Sequence, residues 1–514
     1  QELFDRPEGK ELLARWGEQN TNRALAILAT GGDTAEAEKL LAVQSDYIRR
    51  RFDCSDFYLV YYPYILRTFG KRGSGILSEK TENELTDCLL GFRYWIDEPG
   101  NDAMWFWSEN HALMFHTCQL LAGELFPDEV FTNSGLTGRQ MQAKAKNMLY
   151  DWFVTFRKEG FTEWNSSPYL PIDTLGFGSL YAFAQDPAMR ELGREGMDFA
   201  YYLLAVHSQQ GIFASSSGRT YIKEQFGNWS NCPSGLSWIG YGYGVPGHAG
   251  KGITSYCLSD YEPPKEFAQW FSIPRGKEMI CQTTQGNDGY VDLYTYKTAD
   301  YMMTSANDFH PGEPGHQENP FQLTFNAVAQ LWVTHPGERV LFGAARPSYW
   351  AGNGTLPKVN QYKAFAGLIY DIAPEHPVDF THLYLPSMEF DRCEVEGKWA
   401  FVQLGSAYAA VYCSNGMRMQ DFGSNKDREC IAEGRRCIWL VRAAQADEFA
   451  AFEDFKAAMR GAALDADAEG RRYRFVDPVY GELRCQWGET LYVNDAPMQY
   501  SGFDNYGKLT MQEK

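Results

Sequence analysis

Apolar residues recur at helical spacing over roughly the first two hundred positions of the chain and at alternate positions over most of the remainder. Thr34–Arg50 carries Ala35, Ala37, Leu40, Leu41 and Val43 at mixed helical spacing. Ser78–Trp95 opens on a capping serine and gathers Leu85, Leu89, Leu90 and Phe92. Ser108–Leu125 runs up to Phe126 and Pro127. Gly138–Arg157 is amphipathic through Met141, Ala145, Met148, Leu149, Trp152, Phe153 and Phe156. Thr174–Ala184 and Pro187–His207 complete the set, with Pro187 placed where a first-turn proline belongs. Short connections between such helices predict antiparallel neighbours.

Near Gly211 the texture changes to period two. Tyr290–Tyr296, Phe365–Asp371, Phe380–Leu385, Trp399–Leu404, Tyr408–Cys413 and Cys437–Val441 read as strands, with Gly and Pro between them. Glu448–Met459 interrupts them as a helix. The pattern therefore predicts an α+β multidomain chain: a helical domain over 1–210, a Gly/Ser-rich junction over 211–290, and an antiparallel β domain over 291–514. Beyond the recurring helix pairs there is no short-period repeat.

Composition narrows the function. The 514 residues are 44% hydrophobic and 22% charged, the balance of a globular protein of two to four domains. Aromatics reach 15%, which supplies a large core and suits sugar-stacking surfaces. Against 47 Lys and Arg stand 66 Asp and Glu, a net charge of −19. That excludes nucleic acid as the main partner, because phosphate binding needs a basic footprint. A small anionic substrate stays compatible through a local basic cleft. No stretch reaches the roughly 18 apolar residues of a membrane helix, so no membrane partner is expected. Gln1–Arg15 has no signal-peptide core. The 11 Cys are scattered without a CxxC pair, which argues against a disulfide framework. Together these predict a cytoplasmic protein, with a periplasmic or secreted one whose leader has been removed as the alternative. Homo-oligomerisation is left open.

Several short motifs are set aside. Gly242, Gly244 and Gly247 match GxGxxG, but no βαβ pattern surrounds them and Pro246 is wrong for a dinucleotide helix. His310 and His316 lie in a turn-rich loop with no second strong ligand pair, so no metal is expected there. Asn165, Asn228 and Asn353 begin glycosylation sequons, which matter only in a eukaryotic secretory chain.

Four stretches carry candidate chemistry. Trp107, Glu109, Asn110 and His111 form a polar cluster at the head of an otherwise apolar helix. Free N–H groups there suit an anion, Asn110 can donate to a carboxylate, and His111 can move a proton near neutral pH. The plainer reading is that Ser108 caps the helix, Glu109 fills its first turn and His111 is a core histidine. Glu163, Trp164 and Tyr169 lie in a loop ahead of the next helix, where a tyrosine can serve as a proton carrier once cations lower its pKa. Arg219, Tyr221 and Lys223 share one face if extended, two cations flanking a phenol; the plainer reading is a charged edge strand. His316 and Glu318 end the turn-rich loop that begins at Phe309.

These stretches together resemble the heparinase II/III-like and alginate-lyase-like polysaccharide lyases. Asn110 and His111 are similar to the Asn–His pair on a toroid helix of those families. Ser167, Pro168 and Tyr169 are similar to their Ser-Pro-x-Tyr stretch, although here no residue separates Pro from Tyr, which leaves Tyr169 in competition with Tyr221. The resemblance implies an incomplete (α/α) toroid followed by a β-sandwich, with the junction completing a cleft. It implies metal-independent β-elimination on a uronic-acid-containing glycan, with no cofactor. Asn110 would neutralise the sugar carboxylate, helped by Arg219 or His316. Tyr169 or Tyr221 would act with His111 as base and acid. Trp107, Glu109, Trp164, Lys223 and Glu318 would line the substrate.

Two rivals remain. A glycoside hydrolase on a similar toroid would use paired carboxylates from Glu109, Glu163, Asp173 and Glu318. A non-catalytic carbohydrate-binding protein would show an open aromatic platform without convergent proton donors. The charge of −19 favours short oligosaccharides over a long polyanion.

Overall fold

A computed structural model describes residues 20–227, 231–244, 252–286, 290–339, 349–352 and 354–514. The Gln1–Arg15 segment, Gly247 and the sequon residues Asn228 and Asn353 lie outside them. The chain divides into two compact units: one of residues 1–157, 169–202 and 232–265, the other of 158–168, 203–231 and 266–514.

The first unit is helical. Its helices include Thr21–Ala29, Thr34–Arg49, Asp56–Leu59, Tyr62–Phe69, Glu79–Gly91, Glu109–Leu125, Leu170–Phe183, Ser234–Tyr241 and Ile253–Cys257. Side chains start several of them. Asn20 accepts from the amide of Asn22 at 2.9 Å, Asp33 from Ala35 at 2.9 Å, and Ser78 from Thr81 at 3.3 Å. Neighbour packs on neighbour in a circuit. Thr21–Ala29 meets Thr34–Arg49, then come Glu79–Gly91, Tyr62–Phe69, Glu109–Leu125, Leu170–Phe183 and Ile253–Cys257, which returns to Thr21–Ala29. This ring of packed helices is consistent with the incomplete (α/α) toroid that the resemblance implied. Gly176 permits one of its tight crossings, because a Cβ there would lie 2.7 Å from Leu113. Through it the second turns of Glu109–Leu125 and Leu170–Phe183 touch.

Several sequence boundaries move. The Ser78 helix stops at Gly91, where Phe92 turns extended, rather than at Trp95. The helix expected from Thr174 begins at Leu170, with Pro171 in its first turn. Helices also continue past Gly211: Ile222–Gln225, Ser234–Tyr241, Ile253–Cys257 and Ala268–Phe271 are too short to show a periodic stripe. Glu448–Met459 is helical only from Phe452, through Gly461.

The second unit is built on antiparallel sheets. One runs, edge to edge, Arg418–Met419, Glu429–Glu433, Phe380–Tyr384, Gln330–Thr334, Phe321–Thr324, Met302–Asn307, Val291–Lys297, Lys277–Gln285 and Lys508–Glu513. Another runs Arg392–Glu396, Trp399–Leu404, Ala407–Cys413, Arg436–Gln445, Phe365–Asp371 and Lys358–Tyr362. Tyr296, Met303 and Leu331 of the first share one core with Leu368, Val411 and Val441 of the second, so the two pack face to face as a sandwich. Phe475 and Leu483 bring a five-stranded sheet into the same core. Arg442, buried there, is held by Asp477 and Glu448, each at 2.7 Å.

Candidate functional site

In the helical unit the candidate residues gather at the head of Glu109–Leu125. Ser108 occupies the N-cap position, but its hydroxyl makes no capping bond, contrary to the plainer sequence reading. The carbonyl of Glu109 accepts from the Trp152 indole at 3.1 Å. Asn110 and His111 are buried, at 2% and 6% exposure. Just before them Trp105 and Trp107 stand 52% and 61% exposed, edge to face at 5.4 Å. Two large rings left in water side by side form a surface a sugar ring can cover. Trp105 sits at φ +52°, a costly conformation for an aromatic residue.

His111 is oriented by a residue the sequence reading missed. Its Nδ1 lies 2.8 Å from a carboxylate oxygen of Asp56, which is fully buried at the start of the Asp56–Leu59 helix. Phe57 stacks on the imidazole at 4.7 Å and 11°. The Nε2 edge faces Asp53 at 3.8 Å, with Cys54 beside it. Burial opposes a charged imidazole, but the Asp56 carboxylate outweighs it, and proton affinity is pushed up to about 10. His111 is therefore an imidazolium at neutral pH. Its polar setting separates it from a core histidine such as His116, where burial, with Lys144 adding to it, drives the pKa down to about 3. Asp53, Cys54 and His111 are the one three-ligand grouping of metal-binding type among the described residues.

Tyr169, half-buried, is the N-cap residue of Leu170–Phe183, and its carbonyl accepts from Ile172 and Asp173 at 2.8 and 3.0 Å. It belongs to the unit that holds Asn110 and His111.

The other candidates meet in the β unit. The amides of Ser217 and Asn319 donate to each other's carbonyls at 2.8 and 2.7 Å, and the Thr220 amide donates to Gln317 at 2.9 Å. These bonds lay the Arg219 stretch beside the His316 stretch. A third segment joins them: Gly218 donates to the Trp164 carbonyl at 2.7 Å, and Ser166 Oγ to the Arg219 carbonyl at 2.9 Å. Glycine is needed at 218, because a Cβ would meet the buried Trp164 indole at 2.6 Å. Arg219 then lies 3.8 Å from Glu163, with its guanidinium 5.6 Å from the Tyr221 ring centre and 3.4 Å from the phenol oxygen. Glu318 accepts from the His316 amide, while His316 itself is exposed. Burial raises the Glu318 pKa, only partly offset by its hydrogen bonds and by His316 and Arg219.

The shared face expected of Arg219, Tyr221 and Lys223 does not form. Tyr221 is extended but caps a short helix, Ile222–Gln225, which turns Lys223 outward to an exposed position 3.1 Å from Glu224. Asn165 is a further residue missed as chemistry and weighed only as a sequon. It is 2% exposed at φ +49°, and neither polar atom of its side chain has a hydrogen-bond partner among the described residues. That burial closes it to a glycan. No described helix is long and apolar enough to cross a membrane.

No protein-family model matches the sequence, and no curated protein does. Solved structures that match in fold include two heparinases. One is a crystal structure of heparinase III, 9% identical, with a TM-score of 0.44 over 94% of this chain and 82% of that one. The other is the heparinase III BT4657 gene product, 10% identical, with a TM-score of 0.37 over 96% of this chain and 83% of that one. Likeness at this level transfers no substrate and no residue role.

Proposed function

We propose that the protein is a lyase that cleaves uronic-acid-containing oligosaccharides or polysaccharides by β-elimination. The observation that carries this reading is the head of Glu109–Leu125, where Asn110 stands beside a His111 anchored through Nδ1 by Asp56. Elimination takes the proton from C5, turns that electron pair into a C4–C5 double bond and expels the C4 oxygen. Charge builds on the carboxylate beside C5, so fixed donors there lower the barrier. The Asn110 amide and the first-turn N–H groups are such donors. His111 Nε2–H donates the proton that the leaving oxygen needs. Tyr169 is the base that accepts the C5 proton. Trp105 and Trp107 hold a neighbouring sugar ring by stacking. Tyr221 is the alternative base, with the Arg219 guanidinium placed to stabilise a developing phenolate.

A second reading has its own observation. Glu318, with its raised pKa, and Glu163, paired to Arg219, give one carboxyl suited to an acid and one to a carboxylate in the β unit. That is the division of labour of a glycoside hydrolase.

Ultraviolet absorbance on alginate, glucuronan, heparan sulfate, hyaluronan, chondroitin and pectic fragments tests both. The conjugated double bond of elimination absorbs where substrate does not. A rising signal that disappears in Tyr169→Phe but survives in Tyr221→Phe establishes the lyase and its base. New reducing ends without absorbance, lost in Glu318→Gln, establish the hydrolase instead.

A further inference from the structure

The Nε2 edge of His111 opens on two more donors of the metal-binding kinds. Asp53 Oδ1 lies 3.8 Å from it, and the Cys54 sulfur completes a set whose three atoms all fall within 4.8 Å of one another. A tetrahedral zinc with its usual bond lengths holds such donors about 3.3–3.6 Å apart. The contraction required is about 1.5 Å at most, and Asp53, with its side chain 52% exposed, has room to make it. Behind the histidine the support is already built. Asp56 is fully buried and binds Nδ1 at 2.8 Å, which fixes the ring with Nε2 toward the other two donors. A carboxylate on the far nitrogen of a ligating histidine is the usual outer partner of a zinc site. The Cys54 amide bonds Asp53 Oδ1 at 2.9 Å and the Tyr47 hydroxyl bonds the Asp53 carbonyl at 2.6 Å, so the turn that carries both ligands is tied down.

We infer that Asp53, Cys54 and His111 form a zinc site that switches the enzyme off. One thiolate, one imidazole and one carboxylate favour Zn2+ over the hard cations Ca2+ and Mg2+. Zinc would displace the protons of the Cys54 thiol and of His111 Nε2, leaving a fourth position for water. The nitrogen that delivers the proton in the proposed elimination would then be occupied by metal. The inhibitory consequence rests on the lyase reading; the site itself does not.

The test separates the two. Metal-free full-length protein is titrated with Co2+ and followed by absorbance. One equivalent is expected to produce a thiolate-to-cobalt charge-transfer band and the visible bands of a tetrahedral ion. Cys54→Ser removes the charge-transfer band. Asp53→Asn, the variant less able to disturb the fold, weakens binding at least tenfold, and Asp56→Asn weakens it about 10–100-fold. Absence of the band in the native protein, or its persistence in Cys54→Ser, overturns the site. On whichever uronate substrate gives the absorbing product, one equivalent of Zn2+ is expected to abolish turnover, a chelator to restore it, and Cys54→Ser to escape inhibition. Full turnover with the site loaded overturns the switch while the site stands. If no substrate gives the product, the lyase reading fails and the cobalt spectrum alone still decides the site.

Discussion

His111 in the helical unit and His382 in the β unit are each held through Nδ1 by a buried carboxylate, Asp56 at 2.8 Å and Glu429 at 2.7 Å, yet their proton affinities move in opposite directions. His382 is fully sealed, with Trp350 stacked on its ring at 4.0 Å and 7°. Burial there outweighs Glu429, and the ring stays neutral. Glu429 also accepts from the Tyr349 hydroxyl at 2.5 Å, so its charge is shared between two donors. His111 has Asp53 as a second carboxylate at 3.8 Å and an edge that reaches solvent. The same pair of groups thus loses the imidazole charge when enclosed and keeps it when the outer nitrogen is left facing open donors.

The largest expected effect breaks the enclosed pair. Glu429→Ala leaves His382 and Tyr349 without their shared acceptor and should cost about 3–5 kcal/mol of stability, read by denaturant unfolding. A loss below about 1 kcal/mol would show that Glu429 is not the anchor of that cluster. The open pair should differ in turnover. His111→Gln leaves the buried Asp56 carboxylate without its partner and so also costs stability, but as the proposed proton donor it is expected in addition to slow turnover of the folded protein about 10²–10³-fold. Full turnover by folded His111→Gln would erase the distinction drawn between the two pairs.

Next in size is the response to pH, measured by hydrogen exchange of metal-free protein so that each unit reports separately. The depressed pKa of His382 means that the unfolded chain binds its proton first as pH falls through about 6.5. Glu429, also depressed, adds loss lower still. The amides of Phe380–Tyr384 should lose protection on acidification. The raised pKa of His111 works oppositely: its contribution is complete below about 6.5 and is lost as pH rises through about 10. The amides of Glu109–Leu125 should lose protection in alkali. Both segments weakening on the same side of neutrality would contradict the assignment.

Much of the architecture was legible because long elements repeat their pattern. Glu109–Leu125 and Phe365–Asp371 are long enough for a stripe or an alternation to stand out. Ile222–Gln225 is not: four residues make one turn and no period, and so Lys223 was placed on the wrong face. The motif at Asn110 and His111 was visible as a polar break in an apolar helix. Its anchor was not, because Asp56 lies 55 residues away in a stretch with no pattern of its own. Likewise the pairing of Ser217 with Asn319 that assembles the Arg219 cluster joins two loops a hundred residues apart. Contacts of that range are fixed by the packed fold, and one sequence carries no local trace of them.

The smallest effect sharpens the comparison most. Glu429 is a buried polar group with its partners in place, and stability depends on them. Asn165 is as buried, but its amide is bonded to nothing among the described residues and its backbone is held at φ +49°. A desolvated amide without partners costs about 1–3 kcal/mol. Asn165→Gly removes that cost and keeps the left-handed backbone accessible, at an entropic loss of about 0.5–1 kcal/mol. The two terms oppose each other, so stability should rise or stay within about 1 kcal/mol of its starting value in the same unfolding experiment. A loss of 3 kcal/mol would mean that the amide is structural, like Glu429. A neutral or positive change would show that the fold keeps Asn165 at its own expense, in the segment that Ser166 ties to Arg219. A buried polar group retained without benefit to stability is expected where a ligand completes its bonds.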